Sequence, residues 1–323
     1  MRDRALYFPY INVPRRIWTF RSLLYWDALT SIVPTEFREN PNQLTQFMRD
    51  LSSENLVVQV SPGAYLHRVN GFTENFINLV DTTLANGPAP YNEFALIHME
   101  KLSDVGRELV DRRLAFQKDH SWYFVEKTIA GAFMAYLSGV LGQLDEVNSI
   151  PVTDQISNTR LFSAPTGYSR QTKNRSIQFR MKIFDELLPY PKVNFSLSDL
   201  VDFKARHGNL LPRFRNFIEA KAIELAQIDN DQERKDLIDL LMAQWRDETG
   251  ELIEAMQSKW GDLLFGKILP VFGAGATYAA TEGNLAATGA AATLISAISQ
   301  TIKRPPSGPL VYVAHAEKRF GAR

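Results

Sequence analysis

A chain of 323 residues with 45% hydrophobic and 22% charged residues has the length and composition of one large or two ordinary globular domains with ample core. Lys plus Arg equals Asp plus Glu, at 36 each, so no global field draws the protein to nucleic acid or anionic lipid, and a nucleic-acid partner is not expected. Cysteine is absent, which excludes disulfides, thiolate metal sites and cysteine nucleophiles together.

The opening MRDRALYFPYI has arginines but no long apolar run and no small-residue cleavage site, so no signal peptide is expected and the default location is cytoplasmic. Residues 5–10 alternate aromatic and aliphatic side chains before Pro14, which predicts a strand. Ile17, Phe20, Leu24 and Ala28 at helical spacing predict a helix over 15–29, followed by a short strand at 31–33 that Pro34 stops. Asn42 is a candidate cap for a helix over 43–51, and LVVQV at 56–60 is a third strand. Strand, helix, strand, helix, strand with short connections argues for right-handed βαβ units and a mostly parallel sheet.

A helix is expected over 70–84 and a buried strand over 94–99. Ser103 is placed to cap a helix through Arg112 and Arg113, and an apolar helix is expected over 122–144 with Gly131, Ala135 and Gly139 as a close-packing face. Residues 145–176 are polar and rich in Asn, Ser, Thr and Pro, as a loop or domain joint would be. IQFRMKI at 177–183 alternates like a half-exposed strand.

From there the character turns helical. Ser196 and Asp199 resemble a capping box. Amphipathic helices run to about 260 with a break near 229–231, and the charges Asp229, Asp231, Glu233, Arg234, Lys235, Asp236 and Asp239 read as a solvated face. LVYVA at 310–314 reads as a last strand returning to the N-terminal sheet. The expected organisation is therefore an α/β domain over 1–190, a helical region over 191–307 containing a hairpin at 262–302, and a terminal strand within 308–323.

The hairpin is the most distinctive stretch. Residues 261–300 hold two runs of small and apolar residues around Thr281, Glu282, Gly283 and Asn284, and predict helices over 267–280 and 285–302. Gly275, Ala279 and Gly283 fall four apart, Ala287 and Ala291 repeat the spacing, and Gly273 and Gly289 extend the small surface, so a neighbouring backbone can approach closely. Such a surface suits a tight soluble helix pair, a hairpin that enters a membrane after a trigger, or a constitutive span.

The segments ALYFPYINVP with LLYWDALTSIVP, LPYPKVNFSLSDLVDFKARHGNLLPRFRNFI, and PLVYVAHAEKRF together resemble an uncharacterised bacterial family of unknown function. The resemblance implies a bacterial protein with a sheet-bearing N-terminal half and a helical C-terminal half, in an accessory or antiviral-defence setting. It carries no catalytic residue.

Chemical motifs are sparse. GDLLFGKI at 261–268 nearly spells a phosphate-binding loop, but Ile268 replaces the magnesium-binding hydroxyl and the interior is apolar. VFGAGAT at 271–277 lacks a third glycine and a following βαβ repeat. The five histidines form no metal-binding pair, and neither metal nor cofactor is expected. Arg206, His207, Arg213 and Arg215 make a basic cluster that an anionic group or partner would meet, against the simpler reading as solvated or ion-paired residues. HAEKRF at 315–320 reads as a docked helix turn or a partner-binding tail. The functional expectation is a non-enzymatic interaction or effector protein, with a protein partner or a second copy and conditional membrane association. The rival is an enzyme with a cleft at the strand ends that uses His98, Glu100 and a carboxylate such as Asp27.

Overall fold

The computed structural model describes residues 3–8, 10–86, 93–154, 175, 179–180, 182–191, 196–257 and 308–321. The chain divides into two compact units, residues 1–170 with 196–201, and residues 171–195 with 202–323.

The first unit is α/β, as expected. Strands β1 (Arg4–Tyr7), β2 (Ala28–Ile32), β3 (Val57–Val60) and β7 (Ser149–Val152) form a parallel sheet of order β3-β2-β1-β7. Helix α1 (Ile17–Tyr25) links β1 to β2. The short α2 (Thr35–Glu39) and then α3 (Gln46–Ser53) lead to β3. Every residue of β2 is buried, as a central parallel strand covered on both faces requires. Helix α1 ends earlier and β2 starts earlier than the sequence suggests. Trp26 adopts extended backbone, its N–H closes the helix on the Ser22 carbonyl, and the Asp27 N–H bonds the Asp3 carbonyl, which draws the chain into the sheet. Thr45, not Asn42, caps α3, accepting the Met48 N–H at 3.2 Å; Asn42 lies in a 3-10 turn.

After β3, α4 (Gly63–Leu66) and α5 (Phe72–Asn86) precede a second sheet that the sequence reading missed. Strands β4 (Phe94–His98), β5 (Ala115–Gln117) and β6 (Trp122–Glu126) are antiparallel in the order β4-β6-β5. Helices α6 (Met99–Leu102) and α7 (Val105–Asp111) lie between β4 and β5. The helix expected over 122–144 is half strand. Glu126 takes an N-cap conformation, accepts the Ile129 N–H at 2.9 Å, and starts α8 (Lys127–Gln143) only at Lys127. Helix α8 packs against β1, β4, β6 and β7, joining the two sheets. Its Phe133, Leu137 and Leu141 enter one core with Leu6, Phe8, Phe76 and Ile97. The close approach on α8 is at Gly142, not Gly139: a Cβ at Gly142 would stand 2.5 Å from the Ser149 carbonyl oxygen, whereas one at Gly139 meets open space.

The second unit is helical. Its described elements are a π-turn at Ile183–Leu187, most of α9 (Leu197–His207), α10 (Leu211–Ala226), α11 (Asp231–Gln257) and α12 (Val311–Phe320). The Ser196 cap is present, its hydroxyl accepting the Asp199 N–H at 3.1 Å. Two expected strands are corrected. The described residues of 177–183 are helical, because Phe179, Ile183 and Leu187, four apart, are the buried set. Residues 310–314 begin α12 rather than a strand: Tyr312, Ala316 and Phe320 keep helical spacing, all are buried, and α12 packs on α11. Tyr312 stacks on Phe214 at 5.9 Å and meets Phe203 at 5.4 Å.

On the charged face near 229–239, Arg234 is the exception. It is 7% exposed and donates to the Ile228 carbonyl and the Asp231 carboxylate, tying the loop to the helix start. No helix of the described residues is long and apolar enough to cross a membrane. The hairpin, including Gly273, Gly275, Ala279, Gly283, Ala287, Gly289 and Ala291, lies outside the described residues.

Candidate functional site

In open α/β sheets, ligands and catalytic groups gather at the carboxyl ends of the strands, above all where the strand order reverses. Here the reversal falls between β1 and β7, and two polar clusters occupy that end of the sheet.

The first gathers at the loops after β2 and β3. Glu100 of α6 accepts the Thr35 N–H at 2.6 Å, the Thr35 hydroxyl at 2.9 Å and the Gly63 N–H at 3.2 Å. One carboxylate thus caps the first turns of α2 and α4. His98, 5% exposed, accepts the Glu100 N–H on Nδ1 at 3.2 Å. With Nδ1 accepting, Nε2 carries the proton and donates to the Glu36 carboxylate at 3.3 Å. His98 and Glu100, named together for a cleft at the strand ends, meet through the Glu100 backbone N–H and not its carboxylate, and Glu36 joins them. Asp27 does not, because it precedes β2 at the opposite end of the sheet. Beside Glu100, Lys101 is 3% exposed; burial lowers its amine to about 7, against a smaller opposing pull from Glu100. An open groove of about 480 Å³ adjoins this cluster, and its charged lining, Glu74, Glu100 and Asp104 with His67, is acidic. Among the described residues no group of three or more His, Asp or Glu side chains has metal-holding geometry.

The second cluster sits at the reversal. The side chain of Asp154, after β7, is 4% exposed and accepts the Tyr7 hydroxyl at 3.2 Å and Arg16 Nη1 at 3.1 Å. Burial, and then the Asp154 charge, raise the Tyr7 hydroxyl far above its ordinary range, so it remains a donor at every ordinary pH. Both carboxylate oxygens of Glu100 and both of Asp154 have a donor from the chain itself.

The antiparallel sheet presents a different surface. Cross-strand partners share a face, and the register pairs Leu96 with Phe124, Phe116 with Phe124, Phe94 with Glu126 and His98 with Trp122. The opposite face, with Ala95, Ile97, Ala115, Tyr123 and Val125, enters or packs on the core. The His98 and Trp122 end is covered by Phe37 of α2, whose ring stands edge-on to both at 6.1 and 6.3 Å. The other end is exposed. Phe94, Leu96 and Phe116 are 43%, 46% and 48% exposed. Phe116 lies 5.0 Å from Phe124 and 5.1 Å from Phe94, so the rings form one continuous cluster. The sequence carried a signal for it: AFQ and WYFVE are short β-rich runs separated by the polar turn KDHS at 118–121.

In the helical unit the expected basic cluster separates. Arg206 and Arg213 are exposed, but Arg215 is 1% exposed and belongs to the interior. His207 turns to α12, where its ring stacks on His315 at 4.1 Å with a 20° tilt. Burial lowers the proton affinity of both, His315 to about 4; His207 and then Lys318 add to the effect on His315, and Arg206 to that on His207.

The chain matches no protein-family model, no curated protein and no solved structure. The resemblance of its terminal and middle segments to a bacterial family of unknown function therefore rests on those residues alone.

Proposed function

We propose that this protein acts by contact with a protein partner rather than by catalysis, and that the outer face of the antiparallel sheet is the contact surface. The observation that supports this is the cluster of Phe94, Leu96, Phe116 and Phe124, in which Phe94, Leu96 and Phe116 are exposed. Isolated exposed apolar residues are ordinary, but a contiguous aromatic patch on a rigid sheet costs solvation free energy unless something covers it. Aromatic residues are also the ones enriched in protein interfaces.

The rival enzymatic reading draws less support. Its residues His98 and Glu100 are engaged in capping helices and holding each other, and Asp27 stands at the far end of the strand. A bacterial effector or antiviral-defence role would use the same surface. The Gly/Ala-rich stretch 261–300 would act with it as a second contact element, against a partner or, after a trigger, a membrane.

The native chain has no cysteine, so single-cysteine variants test the proposal cleanly. Phe116→Cys and Leu240→Cys, the latter at a 65% exposed position on α11, should alkylate at comparable rates in dilute purified protein. In intact cells position 116 should react several-fold more slowly than position 240. Equal rates in cells would count against any partner on this face.

A further inference from the structure

We infer that α6 is a latch for α2: the Glu100 carboxylate holds Thr35, and with it the Phe37 ring over the His98 and Trp122 end of the antiparallel sheet, until the neighbouring Lys101 takes up a proton. The latch goes beyond the contact surface proposed above and does not depend on it.

Helix α2 is lightly held. None of its five residues is buried. Side-chain bonds tie it to the rest of the unit: Thr35 to Glu100 through both its amide and its hydroxyl, Glu36 to His98 at 3.3 Å, and Arg38 to Ser61 at 2.9 Å. The Phe37 ring adds its edge contacts with His98 and Trp122. The two Thr35 bonds go to one carboxylate, so whatever draws Glu100 away removes both.

Lys101 is placed to do so. It follows Glu100 on α6 and is 3% exposed, and among the described residues no carboxylate forms an ion pair with its amine. A buried ammonium without a counter-charge is strongly disfavoured. Helix α6 packs on β4 and α7, which bring His98, Arg107, Glu108 and Asp111, with Asp104 at the α7 cap. Of these groups and Glu100, Glu100 alone acts on the amine. A charged Lys101 therefore competes with Thr35 and Gly63 for a single carboxylate. When Glu100 turns to it, α2 loses its anchor and the Phe37 cover lifts.

The sign follows from burial, which lowers the amine from 10.5 to about 7 in the latched form, against a smaller opposing pull from Glu100. Released into water, the amine returns to its ordinary value. The open form holds more protons between these two values, so closure strengthens as the pH rises from about 7 and loses its pH dependence below that.

Hydrogen exchange of the Thr35 and Gly63 amides in the full chain, read by NMR against the intrinsic rate at each pH, tests this. Their protection should rise several-fold between about pH 7 and about pH 8, and the Phe37 to Trp122 ring NOE should strengthen with it. The Met48 amide, capped by Thr45, is the internal control and should keep its protection constant. Lys101→Met keeps an unbranched stem and removes the charge, so protection at Thr35 and Gly63 should no longer depend on pH over this range. Constant protection at these two amides in the native protein, or the same rise in Lys101→Met, overturns the proton-operated latch. A rise shared by Met48 assigns the effect to the whole unit and overturns it as well. A Phe37 to Trp122 NOE of constant strength overturns the lifting of the cover.

Discussion

Glu100 Oε2 lies 2.6 Å from the amide nitrogen of Thr35, a residue 65 positions earlier, and the same carboxylate reaches the Gly63 amide. One side chain on α6 thereby fixes the loops that leave β2 and β3. Glu100→Ala removes the acceptor from both amides. Because water reaches these groups, the expected cost is about 1 kcal/mol. Glu100→Gln, which keeps one oxygen acceptor, should cost less. Urea unfolding midpoints measure both, and an unchanged midpoint for Glu100→Ala would show that the carboxylate is not a structural cap.

The contact of α8 with β7 supplies a sharper comparison between two glycines of one helix. Gly142→Ala places a methyl group 2.5 Å from the Ser149 carbonyl oxygen, and backbone cannot step aside as a side-chain tip can. The expected loss is about 1–3 kcal/mol. Gly139→Ala meets nothing and should gain about 0.5–1 kcal/mol from helix propensity. Thermal unfolding of the two variants should therefore move in opposite directions; movement in the same direction would contradict the assigned approach.

Much of this architecture is legible in the residues, and what was not has specific causes. β1 and β3 stand out because an apolar or aromatic run is cut off by a turn, and α5 because Phe76, Val80 and their neighbours keep helical spacing. The stretch from Trp122 to Leu144 reads as one helix because strand and helix are both apolar there, and only the Glu126 cap, a tertiary decision, divides them. LVYVA at 310–314 is β-branched and short, and such runs fit a buried strand or a buried helix equally. Its helical outcome is decided by Phe203 and Phe214, which are distant in sequence. The site is partly visible: His98 and Glu100 stand close in sequence at a strand end, but Glu36 and Thr35 reach them only through the fold. The aromatic face is marked only by short β-rich runs around the turn at 118–121, because β5, at three residues, is too brief to add a periodic pattern.

The stacked pair His207 and His315 sets an acid limit on the helical unit. Burial holds the folded-state pKa of His315 near 4 and lowers that of His207; His207 and then Lys318 lower His315 further, and Arg206 lowers His207 further. The sign follows directly: the unfolded chain, with histidines near 6.5, takes up these protons before the folded one does. Their stabilising contribution is therefore complete above about pH 6.5. It falls as the pH drops and levels off near the folded value of about 4. His315→Phe keeps a ring against His207 and removes one titrating group, so its melting temperature should fall less steeply between pH 6.5 and 4. Parallel slopes for native and variant protein would rule out the pair as the source.

The most direct measurement of the contact proposal is covalent capture at position 116 in living cells, with a photo-activated side chain in place of Phe116 and the same group in place of Leu240 as control. Phe116 belongs to the uncovered aromatic cluster, whereas Leu240 is a lone exposed residue on α11. Illumination should yield one discrete protein adduct from position 116 and none of comparable yield from position 240. No adduct from position 116, or equal and diffuse labelling from both positions, would contradict a protein partner on this face.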